Sequence, residues 1–196
     1  MTLDNLNLAA CDPDSMYARI AELPQQCEDA WRLVDGFSLP DSYRGAKKVV
    51  ILGMGGSAIG GDLARSLIES TATVPVMVVR EYTTPAYIDE STLVIASSYS
   101  GNTEETLSAL DEALAKGAKC VCVGTGGKIE QRSRDAGLPF LKFSYASSPR
   151  AAIGYSLICL VGVLRQARIA VVPRADLLEA TSVMRAWQAE LSPDVP

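Results

Sequence analysis

The chain has 196 residues, 48% of them apolar, and a formal net charge of -5. That length buries one sizeable core and is short for two domains of ordinary size, while the acidic balance and the lack of a large basic block exclude the diffuse positive field that non-specific nucleic-acid binding needs. There is no histidine, so the commonest neutral-pH acid/base and the commonest metal ligand are both missing, and any proton chemistry falls to carboxylates, Lys, Tyr or Cys.

The opening MTLDNLNLAACDPD carries neither Lys nor Arg and no continuous apolar run. It does not read as a signal peptide, and a cytoplasmic protein is expected. The first forty residues predict two helices, one starting with Asp12 as N-cap before Pro13, the other with Pro24 in its first turn. Met16, Ile20 and Leu23, then Cys27, Ala30, Trp31 and Val34, fall at helical spacing and give each an apolar stripe. Residues 1–44 are therefore expected to be a helical extension packing on a domain spanning 45–191.

From Lys47 onward, short β-branched runs at 49–52, 74–79, 92–96, 120–123 and 140–143 alternate with helical patterns at 57–69, 103–116 and 128–136. Runs so continuously apolar are strands covered on both faces. The alternation makes βαβ units, and the expected fold class is a three-layer α/β/α arrangement with a parallel sheet. The cysteines Cys11, Cys27, Cys120, Cys122 and Cys159 are odd in number and sit in apolar stretches, which suits reduced core thiols; Cys120 and Cys122 alternate along one strand and read as packing rather than metal ligands.

Residues 150–169 are the most apolar stretch, but only fourteen residues separate Arg150 from Arg165, against about 20 for a bilayer span. A buried or subunit-facing helix is predicted instead. A last helix is expected over 174–191, and 192–196 reads as the start of a linker.

Two loops at the C-terminal ends of strands carry the chemistry, which is where ligands bind in open parallel sheets. The first is GMGGSAIGGD, 53–62. Its glycines allow close backbone approach and its Ser57 is predicted to cap the following helix and offer a hydroxyl. Gly53, Gly55 and Ala58 also satisfy G-x-G-x-x-A, with Glu81 near the end of the next strand as a possible ribose ligand, so this loop alone suits a dinucleotide as well as a sugar phosphate. The second loop, Ser97-Ser98-Tyr99-Ser100-Gly101-Asn102-Thr103, favours the sugar phosphate. Four aliphatic hydroxyls and the free N-H groups of a helix start converge there, an anion site of neutral donors plus a helix dipole. An ordinary N-cap turn accounts for one or two such hydroxyls, not four in seven residues.

Neither loop matches the nucleotide-hydrolysing P-loop pattern, and Gly124-Thr125-Gly126-Gly127-Lys128 falls short of it too. Glu104 and Glu105 read as charges complementing a helix dipole, and Asp62 and Glu81 remain uncommitted. Arg150 stands at the positive end of the apolar helix, an electrostatically unfavourable place that hints at use.

GMGGSAIGGD, then RE-Y-TTPAYIDESTLVIASSYSGNTEET, then SSPRAAIGYS, in that order between about Lys47 and Leu164, resemble the SIS (sugar isomerase) family and within it the bifunctional phosphoglucose/phosphomannose isomerases. The resemblance implies a five-stranded parallel sheet of flavodoxin-like type, two such domains in tandem in the complete enzymes, and homodimers. It implies Ser57, Ser98, Ser100 and Thr103 as phosphate ligands with Gly56 lending backbone, and Arg150 as the cation that stabilises a cis-enediol(ate) intermediate. It implies no metal or organic cofactor, a sugar phosphate as small-molecule partner, a second SIS domain or second subunit as protein partner, and neither nucleic acid nor membrane. The family's proton-shuttling glutamate and ring-opening histidine have no counterpart in this sequence, so the chain resembles the N-terminal half of the enzyme and is expected to be inactive alone. Two rival readings remain: a non-catalytic SIS module that senses a sugar phosphate, and a nicotinamide-dependent oxidoreductase domain.

Overall fold

The computed structural model describes residues 12–191; Cys11, the residues before it and the expected linker at 192–196 lie outside the described residues. Five strands, β1 (Lys48–Leu52), β2 (Val76–Val79), β3 (Thr92–Ser98), β4 (Lys119–Gly124) and β5 (Phe140–Lys142), form one parallel sheet in the order β2-β1-β3-β4-β5. Val49 and Ile51 stand opposite Leu93 and Ile95 across the β1/β3 pair, so matching apolar positions share a face.

Because side chains alternate across a strand, these runs divide into two cores. Val49, Ile51, Leu93, Ile95, Val121 and Val123 face one way; Val50, Leu52, Val94, Ala96, Cys120 and Cys122 face the other. The second face is covered by α4 (Glu104–Ala115) and α5 (Gly127–Asp135), the first by α3 (Gly55–Ile68) and α6 (Ile153–Gln166). The three-layer α/β/α class predicted from the alternation is the one observed.

Two further helices complete the first side. The helix α1 (Met16–Ala21) leads through Glu22 into α2 (Leu23–Gly36), which lays Cys27, Ala30, Trp31 and Val34 against α6, and α7 (Arg174–Leu191) rests on α2. A Cβ at Gly162 of α6 would lie 2.3 Å from a Val34 methyl, so the two helices approach at a distance only glycine permits. Here lies the answer for the apolar stretch at 150–169. It is buried by its own chain, between the sheet and α2, and the subunit-facing alternative gives way to an intramolecular partner. No helix among the described residues is long and apolar enough to cross a membrane.

Two helix starts differ from expectation. α1 begins at Met16 with Ser15 as its flanking residue, although the Asp12 carboxylate still accepts from the Met16 and Tyr17 amides at 2.7 and 2.8 Å. α3 begins at Gly55, not Ser57, with Met54 before it. Cys27, Cys120, Cys122 and Cys159 are unpaired and buried, and burial pushes their thiols up to about 11 or 12, the behaviour of packing groups rather than nucleophiles.

Candidate functional site

From β1 the chain crosses to β2 on one side and to β3 on the other, and the crevice above that reversal is where doubly wound sheets hold ligands. A cleft of about 390 Å³ opens there. One wall is the turn into α3, with Met54, Gly55, Gly56 and Ser57; the second is the loop after β3, with Tyr99, Ser100 and Thr103; the third is Pro149 and Arg150 from the 3-10 turn Pro149–Ala152 that feeds α6.

Among the described residues no carboxylate lines this cleft. Two helix N-termini, those of α3 and α4, border it with unsatisfied N-H groups. Arg150 is exposed and makes no ion pair among the described residues, unlike Arg80, which is tied to Asp62. Local potential is thus positive although the chain is acidic.

The predicted site residues take distinct positions. Ser57, third residue of α3, is buried and its Oγ accepts from the Tyr99 amide at 3.1 Å. It therefore joins the two loops instead of capping the helix, and its proton stays free to donate. Ser100 is exposed on the cleft, with Oγ accepting from the Asn102 amide at 3.2 Å. Thr103 precedes α4 and lines the cleft, while Ser98 lies beneath, 1% exposed. Ser98 Oγ accepts from the Gly101 amide at 3.1 Å and sits 2.9 Å from Thr103 Oγ1. If Ser98 donates in that last contact, the Thr103 proton is left for a ligand. Gly56 shows a tighter reason for its identity: a Cβ there would sit 3.0 Å from the Pro149 carbonyl oxygen, so the absent side chain lets the arginine turn rest on α3.

Glu104, Glu105, Asp62 and Glu81 are elsewhere. The charges of Glu105 and Glu104 raise the Tyr82 phenol above its ordinary value, so they face that ring. Asp62 is committed to Arg80, and Glu81 lines a separate groove beside β2. The strand order β2-β1-β3-β4-β5 also differs from that of a dinucleotide domain, in which the strand beyond β2 is β3 and β1 neighbours β4.

Two residues hold the arginine turn: Tyr99, whose place in the serine loop did not signal this role, and Gln26, which lies outside every motif. Tyr99 Oη lies 2.5 Å from the Tyr145 carbonyl and 2.7 Å from that of Ser147, and it accepts from the Ser147 amide at 3.0 Å. On the other side Gln26, 2% exposed on α2, donates to the Ala151 carbonyl at 2.9 Å and accepts from the Gly154 amide at 3.2 Å. A buried glutamine with both ends of its amide engaged is a rigid strut.

The glycines after β4 also have an assignment. A Cβ at Gly101 (φ +69°) would collide with the Gly126 carbonyl oxygen, while the Ile129 amide donates to Gly101 O at 2.9 Å and the Lys128 amide to Asn102 Oδ1 at 3.1 Å. The segment 124–128 braces the serine loop from behind.

Residues 42–138 match the SIS domain family. This chain belongs to the SIS family. A bifunctional phosphoglucose/phosphomannose isomerase from Caldicellulosiruptor bescii is 41% identical over 92% of the chain and 53% of the relative. A D-glucosamine-6-phosphate 4-epimerase from Sulfolobus acidocaldarius is 34% identical over 62% of the chain and 38% of that protein. Tagatose-6-phosphate ketose/aldose isomerase from Escherichia coli superposes with a TM-score of 0.70 at 16% identity, over 91% of this chain and 54% of that one, which supports the fold. The chain spans about half the length of the curated relatives it matches.

Proposed function

We propose that this chain is the phosphate-binding SIS domain of an aldose/ketose isomerase that interconverts glucose 6-phosphate or mannose 6-phosphate with fructose 6-phosphate. The observation that carries it is the cleft above β1 and β3: hydroxyls, helix N-termini and an arginine, with neither an ion-pair partner for that arginine nor a carboxylate in the lining among the described residues. Ser57, Ser100 and Thr103 donate to the phosphate together with the Gly56 amide, and Ser98 orients Thr103 from below. The names of the sequence relatives supply the substrate class.

Moving a proton between C1 and C2 puts negative charge on a sugar oxygen, and a fixed cation is most useful there. Arg150 fits that part, since a guanidinium stays protonated throughout. It cannot take the carbon-bound proton, and none of the described residues lining the phosphate cleft is a carboxylate or histidine that can. The reading therefore assigns the base to a second SIS domain or to a second subunit of a homodimer, in a cytoplasmic enzyme needing no metal or organic cofactor.

Thermal unfolding tests the binding half. A ligand that binds only the folded state adds about 2.7 kcal/mol at a hundredfold excess over Kd, so fructose 6-phosphate is expected to raise the melting temperature and NAD to leave it unchanged. A shift with NAD and none with fructose 6-phosphate would reverse the assignment. In a coupled assay the chain alone is expected at background; turnover by the chain alone would contradict the missing base.

A further inference from the structure

Among the described residues Arg150 has no ion-pair partner, and it is exposed. No counter-charge aims its guanidinium, which is placed by the backbone that carries it. The side chain is long, so a small rotation at the Cα becomes a large displacement of the charge, and a displacement of about 1 Å can cost on the order of a hundredfold in rate.

That backbone is clamped just beyond Arg150 by Gln26 of α2. Its Nε2 donates to the Ala151 carbonyl at 2.9 Å and its Oε1 accepts from the Gly154 amide at 3.2 Å, so one amide ties the arginine turn to the first turn of α6. The Gln26 amide is fixed in turn: Nε2 also lies 3.1 Å from Tyr145 Oη, which donates to the Glu22 carboxylate at 2.5 Å, and 3.3 Å from the Arg19 carbonyl. A Cβ at Gly154 would sit 2.7 Å from Gln26 Cβ, so α2 lies hard against α6 at this point. Gln26 is buried and does not line the phosphate cleft.

The parts of the site have separate supports. Ser57, Ser98, Ser100 and Thr103 fall inside the SIS match at 42–138, whereas Gln26 and Arg150 both fall outside it. Ser57 and the serine loop are joined through the Tyr99 amide. Disturbing Gln26 therefore reaches the cation before it reaches the phosphate ligands.

We infer that Gln26 is a positioning residue of the proposed isomerisation: from α2 it fixes the backbone beyond Arg150, and so sets the guanidinium against the charge that forms on the sugar oxygen, without touching the sugar. The inference rests on the role proposed above for Arg150.

Calorimetric titration with two ligands tests it. Inorganic phosphate reports the phosphate site alone. A five-carbon aldonic acid 5-phosphate adds a carboxylate where the enediolate of a hexose 6-phosphate carries its charge, and so reports Arg150 as well. Arg150→Ala is expected to weaken the aldonate phosphate about thirtyfold and Gln26→Met about fivefold, with inorganic phosphate within about twofold of wild type in both. Because Gln26 acts through Arg150, the double variant should bind the aldonate phosphate within about twofold of Arg150→Ala alone. Gln26→Glu keeps the shape of the side chain, and its protonated carboxyl can both donate and accept as the amide does. At about pH 5, where burial keeps such a carboxyl neutral, it is expected to bind both ligands like wild type. A Gln26→Met loss that is equal for the two ligands, or that recurs in full on top of Arg150→Ala, overturns the positioning role and leaves Arg150 standing; so does a Gln26→Glu variant at that pH as poor as Gln26→Met. If Arg150→Ala weakens neither ligand, the role of Arg150 falls and that of Gln26 with it.

Discussion

The turn into α3 and the turn after β4 both follow a parallel strand, both carry several glycines, and both run directly into a helix. Gly55 has a positive φ and open space around it, on the wall of the cleft. Gly126 and Gly127 also have positive φ, but their backbone is pressed against Gly101, Ser100 and Asn102. One turn leaves its N-H groups facing solvent, where a ligand can reach them. The other spends its backbone on the loop that does the binding. Glycine spacing reports that a backbone must come close to something, and only the fold says whether that something is a ligand or a neighbouring loop.

Substitutions can break this contrast. A Cβ at Gly101 would overlap the Gly126 carbonyl at a φ that side chains avoid, so Gly101→Ala is expected to cost on the order of 3 kcal/mol or more. Gly55→Ala, in open space, should cost about 1 kcal/mol from its left-handed backbone alone. Urea unfolding of the two variants measures the difference, and equal costs would erase the distinction between brace and wall.

The arginine turn comes next. Gln26→Leu leaves the Ala151 carbonyl and the Gly154 amide without partners in a buried place, at about 2 to 3 kcal/mol. Tyr99→Phe removes one hydroxyl and is expected to cost about 1 to 2 kcal/mol. Both should loosen the turn, and hydrogen exchange at the Ser147 amide should accelerate in Tyr99→Phe. Unaltered exchange there would mean that the phenol is not what holds the turn.

The sheet and its helices were legible because their signals are local: runs such as Val49-Val50-Ile51-Leu52 are apolar on both faces, and the stripe of Cys27, Ala30, Trp31 and Val34 repeats at helical spacing. The serine loop was legible for the same reason, its hydroxyls falling within seven residues. What escaped depends on pairs far apart in the chain. Gln26 meets Ala151 across 125 residues and Tyr99 meets Ser147 across 48, and no single-residue pattern encodes such contacts. The cover of α6 by α2 belongs to the same class. Ser57 was misplaced as a cap because glycines are poor markers of a helix start, and α3 begins on two of them.

The smallest effects on stability lie outside the buried contacts. Ser100→Ala should change stability by less than about 0.5 kcal/mol, as for an exposed residue, while still weakening phosphate binding. At the opposite, N-terminal end of the strands, hydrogen bonds from Lys48 and Ser91 hold the Asp89 carboxyl far below the ordinary carboxylate range. Its folded value lies below its unfolded one, so the stability it contributes is complete above about pH 4 and is lost as pH falls further. Asp89→Asn should flatten the acid limb of the melting profile and leave ligand binding at neutral pH unchanged. An acid limb identical to wild type would place that stability elsewhere.

Amide chemical shifts followed during titration with fructose 6-phosphate test the central claim most directly, because they report every loop at once. The largest saturable changes are expected at Gly55, Gly56, Ser57, Ser100, Thr103 and Arg150, with smaller ones at Gly126, Gly127 and Lys128 transmitted through the brace. Largest changes at 124–128, with the serine loop and Arg150 unmoved, would contradict the assignment of the binding cleft.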